Sequence, residues 1–592
     1  MTPADVQPGH ERHTRSPERG TLATRPVRSV KPRTTDRWLV LAAIVVLGAI
    51  SGIAYYLGFT RPYLLSDYYA EPLRDLAKIN GHTAPAANAW ALTWIVLFAC
   101  YYLAFRICPG AQYISRAFRW VALFVICGWA AIFNIYQVFM YPVGAADIFD
   151  QIFRARLQAH YDLNPFTTFP QSFEHDPFRP YVAWQGEGSP YGPVWELLAG
   201  GTNFLAGDSL WNNLIMFKLL VMLAFGVNIA LTYGILRVIK PDWALKGTLF
   251  FAWNPLVIFE VAGNGHNDSI VVTFLLLAVY MFVLARRYAV IPALMAGALT
   301  KFVPIILVPV AAAAIFRDRI RITNSPRRRR NAEISADHDL EVPPGKKRLL
   351  SNFDALSVLA ISGVIAAGLA VVFYARFWEG PQTVGALARQ SLFTASIPKV
   401  ILDTLTDNFR MENGQAQSLV RNAALGLVVL VTLALSVRIL LKGNATTPYG
   451  RQALVSRTLS AFYEIIFVYL AFATLWFQPW YLMWLIALTA PVARLENAHR
   501  TILFCIGGVA NYFVWDFLWL WNGTPIRDIQ MTSALAVYTL PLLYTLYVWL
   551  KPLWAEQDHD PIARGLGPNL ERDGNSETPP HRVDSHYPLS ST

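Results

Sequence analysis

Two aspartates three residues apart are the side chains of this sequence best placed to do chemistry. Asp147 and Asp150 lie in AADIFDQIFRAR (145–156), which the pattern predicts as a short amphipathic helix. Residues three apart share one helical face, with Cβ atoms about 5–6 Å apart. Such a carboxylate can take a proton from a hydroxyl group. With the Arg154 guanidinium nearby, the pair suits proton transfer on a charged substrate.

Each aspartate also has a structural alternative. Asp147 stands where the predicted helix begins. Aspartate is a favoured N-cap because its side chain accepts hydrogen bonds from the free backbone N–H groups there. Asp150 precedes Arg154 by four residues, the spacing of a helical ion pair, and we favour this pairing for it. Asp147 is therefore the better candidate for a general base.

Composition places these residues in a membrane protein. The chain has 592 residues, of which 54% are hydrophobic and 15% are charged, against roughly 25% charged residues in soluble domains. Its mean hydropathy is +0.35. The sequence therefore predicts an all-α polytopic membrane protein. The four cysteines form no CxxC pattern, which argues against disulfides and a thiolate metal site.

The apolar segments predict a bundle of about fourteen (twelve to fourteen) transmembrane helices with short external helices between them. The predicted spans are 37–59, 87–107, 119–140, 211–238, 243–260, 269–285, 288–300, 302–316, 353–375, 419–441, 458–477, 480–493, 501–520 and 530–550.

The stretch 288–316 decides the topology. As one helix, it would carry the RRRR run (327–330) to the outside, which the positive-inside rule opposes. Two short helices broken near Lys301 keep that run inside, and Pro304 and Pro309 favour such a break. Lys301 itself either snorkels to the interface or pairs with an anion.

Positive charge orients the bundle. The net charge of +11 concentrates in the N-terminal tail and in loops between spans. Beside membrane segments such runs indicate cytoplasmic loops, so we expect no nucleic-acid partner. The prediction is a cell (plasma) membrane protein with both termini cytoplasmic. Its regions are a disordered basic tail 1–36, a transmembrane domain 37–554 with a basic cytoplasmic loop 317–352, and a disordered tail 555–592.

The polar segments then fall together on the external face. They are the loop 60–86, the catalytic loop 141–210, the GNGHND turn (263–268) and the loop 376–418. GNGHND offers the side chains of Asn264, His266, Asn267 and Asp268, which suit a sugar- or head-group-binding turn. The alternative is that Asn267 or Asp268 caps the helix that follows.

Cationic and aromatic residues complete the predicted site. Lys301 and Arg389 are candidates to hold a phosphate group. Trp480 and Tyr481, at a helix start, form either an interfacial aromatic belt or an aromatic wall for a sugar ring or a polyprenyl chain.

The ordered set of motifs resembles a known family. AADIFDQIFRAR, SPYGPVW (189–195), GNGHND, AGALTKFVPIILVP (296–309) and QPWYLMW (478–484) follow one another along the chain. Together they are similar to GT-C glycosyltransferases, in particular to prokaryotic polyprenol-phosphate-mannose-dependent mannosyltransferases. In that family the catalytic loop usually follows the first helix, whereas here it follows the third predicted span.

The resemblance implies a hexosyltransferase with a GT-C membrane fold and its base in the first large external loop. Asp147 matches that position better than Asp150. The implied reaction moves mannose or another hexose from a polyprenyl-phosphate donor to an envelope glycan, lipid or protein acceptor, with inversion. Arg154 and Tyr191 join the donor-binding candidates named above. The alternative function is a lipid-linked glycan flippase or a small-molecule transporter, whose polar site would lie near the midplane.

No nucleotide-binding glycine motif is present, and membrane lipids are the surrounding partner. Cofactor use is left open. Asp147, Asp150 and Asp268 offer oxygen ligands for a divalent cation such as Mg²⁺ or Mn²⁺, but no motif indicates a metal site.

Overall fold

A computed structural model of the chain describes residues 34–110, 114–323, 344–384, 392–441, 448–521 and 528–555. The structure is 79% helical and has no strands among these residues, which confirms the predicted all-α class. The predicted tails 1–36 and 555–592 lie largely outside the described residues, and the basic loop 317–352 does so in part.

The helices are joined by short connections and by longer segments such as 160–192 and 375–412. In chain order they are α1 Thr34–Tyr55, α2 Ala84–Ile107, α3 Arg116–Val138, α4 Asp147–Ala159, α5 Pro193–Ala206, α6 Leu210–Ile239, α7 Ala244–Ala252, α8 Asp268–Val283, α9 Val290–Ala298, α10 Val308–Thr323, α11 Pro344–Tyr374, α12 Asn413–Leu441, α13 Pro448–Val468, α14 Leu482–Val492, α15 Leu495–Phe513 and α16 Ile529–Ala555. Single-turn or two-turn helices at Leu65–Tyr68, Leu76–Asn80, Pro255–Ile258 and Ile397–Asp403 lie between them.

Nine helices of the described chain are long and apolar enough to cross a membrane, and the bent pair Pro241–Ala252 and Pro255–Gly263 raises the number to ten. Each of these ten overlaps a predicted span. The other four predicted spans also fold as helices, but as the shorter elements α8, α9, α10 and α14. The chain is thus a multi-pass membrane protein, as its composition predicts.

The predicted break at Lys301 is present. Helix α9 ends at Ala298, and a 3₁₀ segment, Val303–Leu307, leads into α10. Pro304 lies at the start of this segment, where its missing N–H group costs no helical hydrogen bond. Lys301 therefore lies in irregular backbone between two helices. Such backbone is tolerated at membrane depth where protein surrounds it.

The SPYGPVW segment is attached directly to this break. The backbone N–H groups of Gly192 and Val194 donate to the carbonyls of Thr300 (3.0 Å) and Leu299 (2.9 Å). A Cβ atom on Gly192 would lie 2.1 Å from the Leu299 carbonyl oxygen, so only glycine permits this approach. These two hydrogen bonds hold Tyr191 and Lys301 near each other, although they are far apart in sequence.

Candidate active site

A cavity of 450 Å³ lies where the start of α4 meets the break between α9 and α10. Asp147, Asp150, Arg154 and Lys301 line its polar wall. Its apolar wall comes mainly from α12 and from the segment 469–484. The cavity thereby joins parts of the 141–210 loop, the helix break and the QPWYLMW motif.

Asp150 has a structural role. Its carboxylate pairs with Arg154 at 3.0 Å, as the four-residue spacing predicts. The same carboxylate accepts backbone hydrogen bonds from Ala183 and Trp184, both at 3.1 Å. Arg154 in turn donates to the carbonyls of Trp184 (3.3 Å) and Glu187 (3.1 Å). The pair is buried and holds the 183–187 segment against α4.

Asp147 has a different environment. Ala146 is the N-cap of α4 and no side chain caps the helix, so the alternative role of Asp147 as a cap is wrong. From the described side chains its carboxylate accepts one hydrogen bond, which the Tyr191 hydroxyl donates at 3.4 Å. Burial raises the pKa of Asp147, and the nearby carboxylates of Asp150 and Asp268 raise it further. The charges of His266 and Lys301 oppose this shift in pKa.

Tyr191 is fixed by a second contact. The Gln151 side-chain amide donates to the Tyr191 hydroxyl at 3.1 Å. Because that hydrogen bond occupies a lone pair, the phenolic proton is left to point at Asp147. Burial raises the pKa of Tyr191, so the phenol keeps its proton at neutral pH. Tyr191 therefore orients the Asp147 carboxylate.

Lys301 and Asp268 form the second ion pair of the site. The Lys301 ammonium lies 3.0 Å from both carboxylate oxygens of Asp268. Asp268 is the first residue of α8 and makes no capping hydrogen bond, so the capping alternative is wrong for it. One of the two predicted roles of Lys301 was pairing with an anion. Lys301 does so, but the anion is the Asp268 carboxylate of the protein itself.

Aromatic rings surround the ammonium group of Lys301. Its Nζ lies 4.6 Å from the ring centre of Tyr481, 5.5 Å from that of Trp484 and 5.9 Å from that of Tyr191. Such contacts stabilise a cation by about 0.5–2 kcal/mol each, depending on desolvation. The rings and Asp268 together hold the lysine charge within the wall of the cavity.

The GNGHND turn is organised by a buried acid that we did not predict. Glu260 accepts hydrogen bonds from the Asn264 amide (2.8 Å) and the Tyr512 hydroxyl (2.9 Å). The Nδ1 atom of His266 lies 3.2 Å from the same carboxylate, without hydrogen-bond alignment. Asn264 also accepts from the Gly144 N–H at 3.1 Å, which ties the turn to the chain just before α4.

Two residues of this turn present unused polar atoms. The His266 ring stacks on Trp480 with ring centres 4.0 Å apart. Its Nε2 and both amide atoms of Asn267 have no hydrogen-bond partner among the described residues, although both side chains are 1% exposed. Buried polar groups normally have partners. Neither residue lines the cavity, so these atoms lie behind its wall.

Glu196, in the helix that follows SPYGPVW, lies behind the site. It is buried, accepts a hydrogen bond from the Ser189 hydroxyl, and lies 3.3 Å from the Gln158 amide. Burial raises its pKa to about 7. Because it does not line the cavity, its role is to anchor the start of α5 under Tyr191.

The cavity also contains residues that sequence reasoning missed. Trp184 and Trp476 both line it, with ring centres 5.7 Å apart. Arg421 lines the wall formed by α12. An acidic or cationic residue in an apolar stretch of sequence often marks a functional site. Glu260 and Arg421 both stand in such stretches.

Arg389, predicted to hold a phosphate, lies outside the described residues. Within the described ranges, no group of three or more His, Cys, Asp or Glu side chains is arranged to hold a metal ion. Two of the three carboxylates considered for a divalent cation, Asp150 and Asp268, are paired with protein cations instead.

Comparison with known proteins connects this geometry to a family. No curated protein matches the chain. Residues 40–317 match the alpha-(1->6)-mannopyranosyltransferase N-terminal domain family. The match begins inside α1, so the helices ahead of the catalytic loop belong to the matched domain rather than being additions to it. It also includes Asp147, GNGHND and Lys301. The match confirms the predicted resemblance to GT-C mannosyltransferases, since residues 40–317, a little under half of the chain, are similar to the N-terminal domain of the alpha-(1->6)-mannopyranosyltransferase family.

Proposed function

We propose that the chain transfers mannose, or another hexose, from a polyprenyl-phosphate donor to an envelope glycan, lipid or protein acceptor. One observation carries this proposal. The carboxylate of Asp147, which forms no ion pair with the residues the structure describes, shares a cavity with an apolar wall formed by a membrane helix. A sugar and a hydroxyl acceptor suit the polar wall, and a long isoprenoid chain suits the apolar wall.

The proposed reaction is a single displacement at the anomeric carbon. Asp147 accepts the proton of the acceptor hydroxyl as its oxygen attacks that carbon. The bond from the anomeric carbon to the phosphate oxygen breaks, and its electron pair leaves with the polyprenyl phosphate. One displacement inverts the configuration of the sugar. The raised pKa of Asp147 makes it a stronger base than an exposed aspartate.

The other site residues have supporting roles in this proposal. Tyr191 orients Asp147, and Asp150 with Arg154 holds the 183–187 segment in place. Trp480 and Tyr481 offer ring faces to the sugar. His266 stacks behind Trp480 and supports this aromatic wall, within the turn that Asn264 anchors and that also contains Asn267. The Lys301–Asp268 pair keeps a fixed dipole beside the reacting centre.

We also propose the orientation in the membrane from charge. With the basic runs placed in the cytoplasm, both termini are cytoplasmic and the cavity opens to the external face of the plasma membrane. The transferase domain then spans 37–554, with 141–210 as its catalytic loop and 376–418 as a second external loop.

The test is sugar transfer by the purified full chain in lipid nanodiscs, with synthetic polyprenyl-phosphate mannose and a mannoside acceptor. Asp147→Asn keeps the side-chain shape but removes the base, so we expect kcat to fall by about 10²–10⁴-fold. Asp162→Asn is the matched control, because Asp162 is exposed and does not line the cavity.

Two outcomes would contradict the proposal. Full activity of Asp147→Asn would exclude Asp147 as the base. Absence of transfer by the wild type, together with movement of a fluorescent lipid-linked sugar across proteoliposome membranes, would favour the flippase alternative.

A further inference from the structure

Arg421 is a cation in the cavity wall whose charge no described residue neutralises. It lies on α12, is half-buried and lines the cavity. Within the described part of the chain its guanidinium takes part in no ion pair or hydrogen bond. A guanidinium is always charged and presents five donors that match a phosphate. A half-buried, unpartnered arginine in a membrane helix is costly unless a ligand uses it.

The other two cations of the cavity are already engaged. Arg154 pairs with Asp150 and donates to two backbone carbonyls. Lys301 pairs with both oxygens of Asp268 and lies among aromatic rings. A phosphate at either cation would have to compete with a carboxylate already in contact. Arg421 has no such competitor among the described residues.

The position of Arg421 along its helix also indicates the ligand. It lies eight residues after Asn413, the first residue of α12, which is about 12 Å along the helix axis. One and two turns further on, Leu425 and Val428 line the apolar wall, and Ile306 faces the same cavity. The guanidinium therefore marks the boundary between the polar and apolar walls.

Leu425 also connects the cavity with the lipid. It lines the cavity and is 63% exposed, and Val429, one turn further along α12, is 48% exposed. Exposed apolar side chains on a membrane helix face the lipid. A ligand that satisfies this arrangement has an anionic group directly attached to a long apolar chain.

We infer that Arg421 binds the phosphate group of the lipid carrier, with the carrier's chain lying along Leu425 and Val428 toward the bilayer. This inference rests on the proposed function, and it assigns the phosphate contact to Arg421 rather than to Lys301. Lys301 then positions Asp268. Arg421 stabilises the negative charge that develops on the phosphate oxygen as its bond to the sugar breaks.

The experiment measures lipid binding rather than transfer. Wild-type full chain and Arg421→Gln, both in nanodiscs, are titrated with polyprenyl phosphate, with the uncharged polyprenol, with inorganic phosphate and with phosphatidylglycerol. We expect the substitution to weaken polyprenyl phosphate binding by about 10–100-fold, the effect of losing charge-assisted hydrogen bonds. Polyprenol binding is expected to stay the same, and Arg421→Lys to recover part of the affinity.

Arg438→Gln is the matched control, because Arg438 lies in the last turn of the same helix and does not line the cavity. Equal affinity of the wild type and Arg421→Gln for polyprenyl phosphate would overturn the inference. So would an equal loss in Arg438→Gln, or equally tight binding of inorganic phosphate or phosphatidylglycerol.

Transfer assays on the same samples separate this inference from the proposed function. Arg421-dependent binding of polyprenyl phosphate without sugar transfer from any lipid donor would reject the transferase proposal but keep the binding site. Transfer with unchanged donor KM in Arg421→Gln would keep the transferase proposal and reject the binding site.

Discussion

Two aspartates on one helical face have acquired different tasks because their neighbours differ. Asp150 is satisfied by Arg154 and by two backbone N–H groups, so its negative charge is compensated. Among the described side chains, Asp147 has only the phenol of Tyr191 as a hydrogen-bond partner, at 3.4 Å. A carboxylate with few partners in a buried place holds a proton more readily, which is what a base at neutral pH requires.

The pKa of Asp147 gives a pH prediction. The base must be unprotonated, so kcat/KM falls as pH decreases through that raised pKa. Asp150→Asn removes a negative neighbour and leaves the Arg154 charge uncompensated. Both effects favour the Asp147 carboxylate and lower its pKa. We therefore expect the acid limb of the kcat/KM profile to move to lower pH in Asp150→Asn.

Transfer assays from pH 4 to 9 measure this shift, with Glu174→Gln as the control for an exposed acid of the same loop. An acid limb that stays in place, or moves to higher pH, would mean that Asp147 is not the titrating base.

The residue contacts show where sequence reasoning succeeds and where it fails. The Asp150–Arg154 pair follows from helical spacing alone, and it was predicted. The Lys301–Asp268 pair joins residues 33 apart, and the Tyr512–Glu260 hydrogen bond joins residues 252 apart. No local rule gives such distances, because they depend on how separate helices pack.

At the scale of elements, α4 is held against the loop that follows it by a buried ion pair. The Arg156 guanidinium lies 2.7 Å from Asp176, and it also pairs with Asp208 just before α6. Asp176 additionally accepts hydrogen bonds from the Tyr161 hydroxyl and the Phe178 N–H, both at 2.7 Å. These contacts fix the direction of α4 and hence the position of Asp147.

Asp176→Asn tests this arrangement. Because Arg156 would keep a buried charge with its best partner gone, we expect a loss of stability of about 3 kcal/mol. Hydrogen exchange of residues 160–187 should increase, and thermal unfolding in detergent should shift to lower temperature. Glu174→Gln, two residues away and exposed, should change stability by less than about 0.5 kcal/mol. Equal effects of the two substitutions would show that the ion pair contributes nothing.

The elements themselves were predictable to different degrees. The break at Lys301 followed from prolines and from the charge of the loop beyond it. The bend of 49° between Pro241–Ala252 and Pro255–Gly263 was not predicted, although the Asn254-Pro255 dipeptide that stands there is a usual signal for such a break. The Asn254 side chain caps the helix Pro255–Ile258, which begins just after the bend, by accepting hydrogen bonds from the N–H groups of Leu256 and Val257.

At the scale of the whole molecule, the fourteen predicted segments are all helical, and two of the polar loops that their order placed on one side, 141–210 and 376–418, contribute to one cavity. Asp147, Lys301, Leu392 and Trp480 come from four different regions of the chain and line one cavity. Alternation of direction through successive spans is sufficient to predict this clustering. This alternation does not predict the apolar wall, because the sequence does not distinguish leucines that face the lipid from leucines that face the cavity.

That apolar wall makes a prediction about donor length. Leu425 lines the cavity and is exposed toward the lipid, so Leu425→Trp should narrow the passage between them. Crowding of this kind costs about 1–3 kcal/mol. We therefore expect KM for a long polyprenyl-phosphate donor to rise about tenfold. A donor with only two isoprene units should be affected much less, because its chain ends near the phosphate.

Leu433→Trp provides the matched control on the same helix, since Leu433 is 54% exposed and does not line the cavity. Steady-state transfer with the two donors measures the effect, and the ratio of their KM values is the quantity that decides. If the chain leaves the cavity past Leu425, that ratio changes in Leu425→Trp alone. An unchanged ratio in Leu425→Trp would mean that the lipid chain leaves the cavity elsewhere.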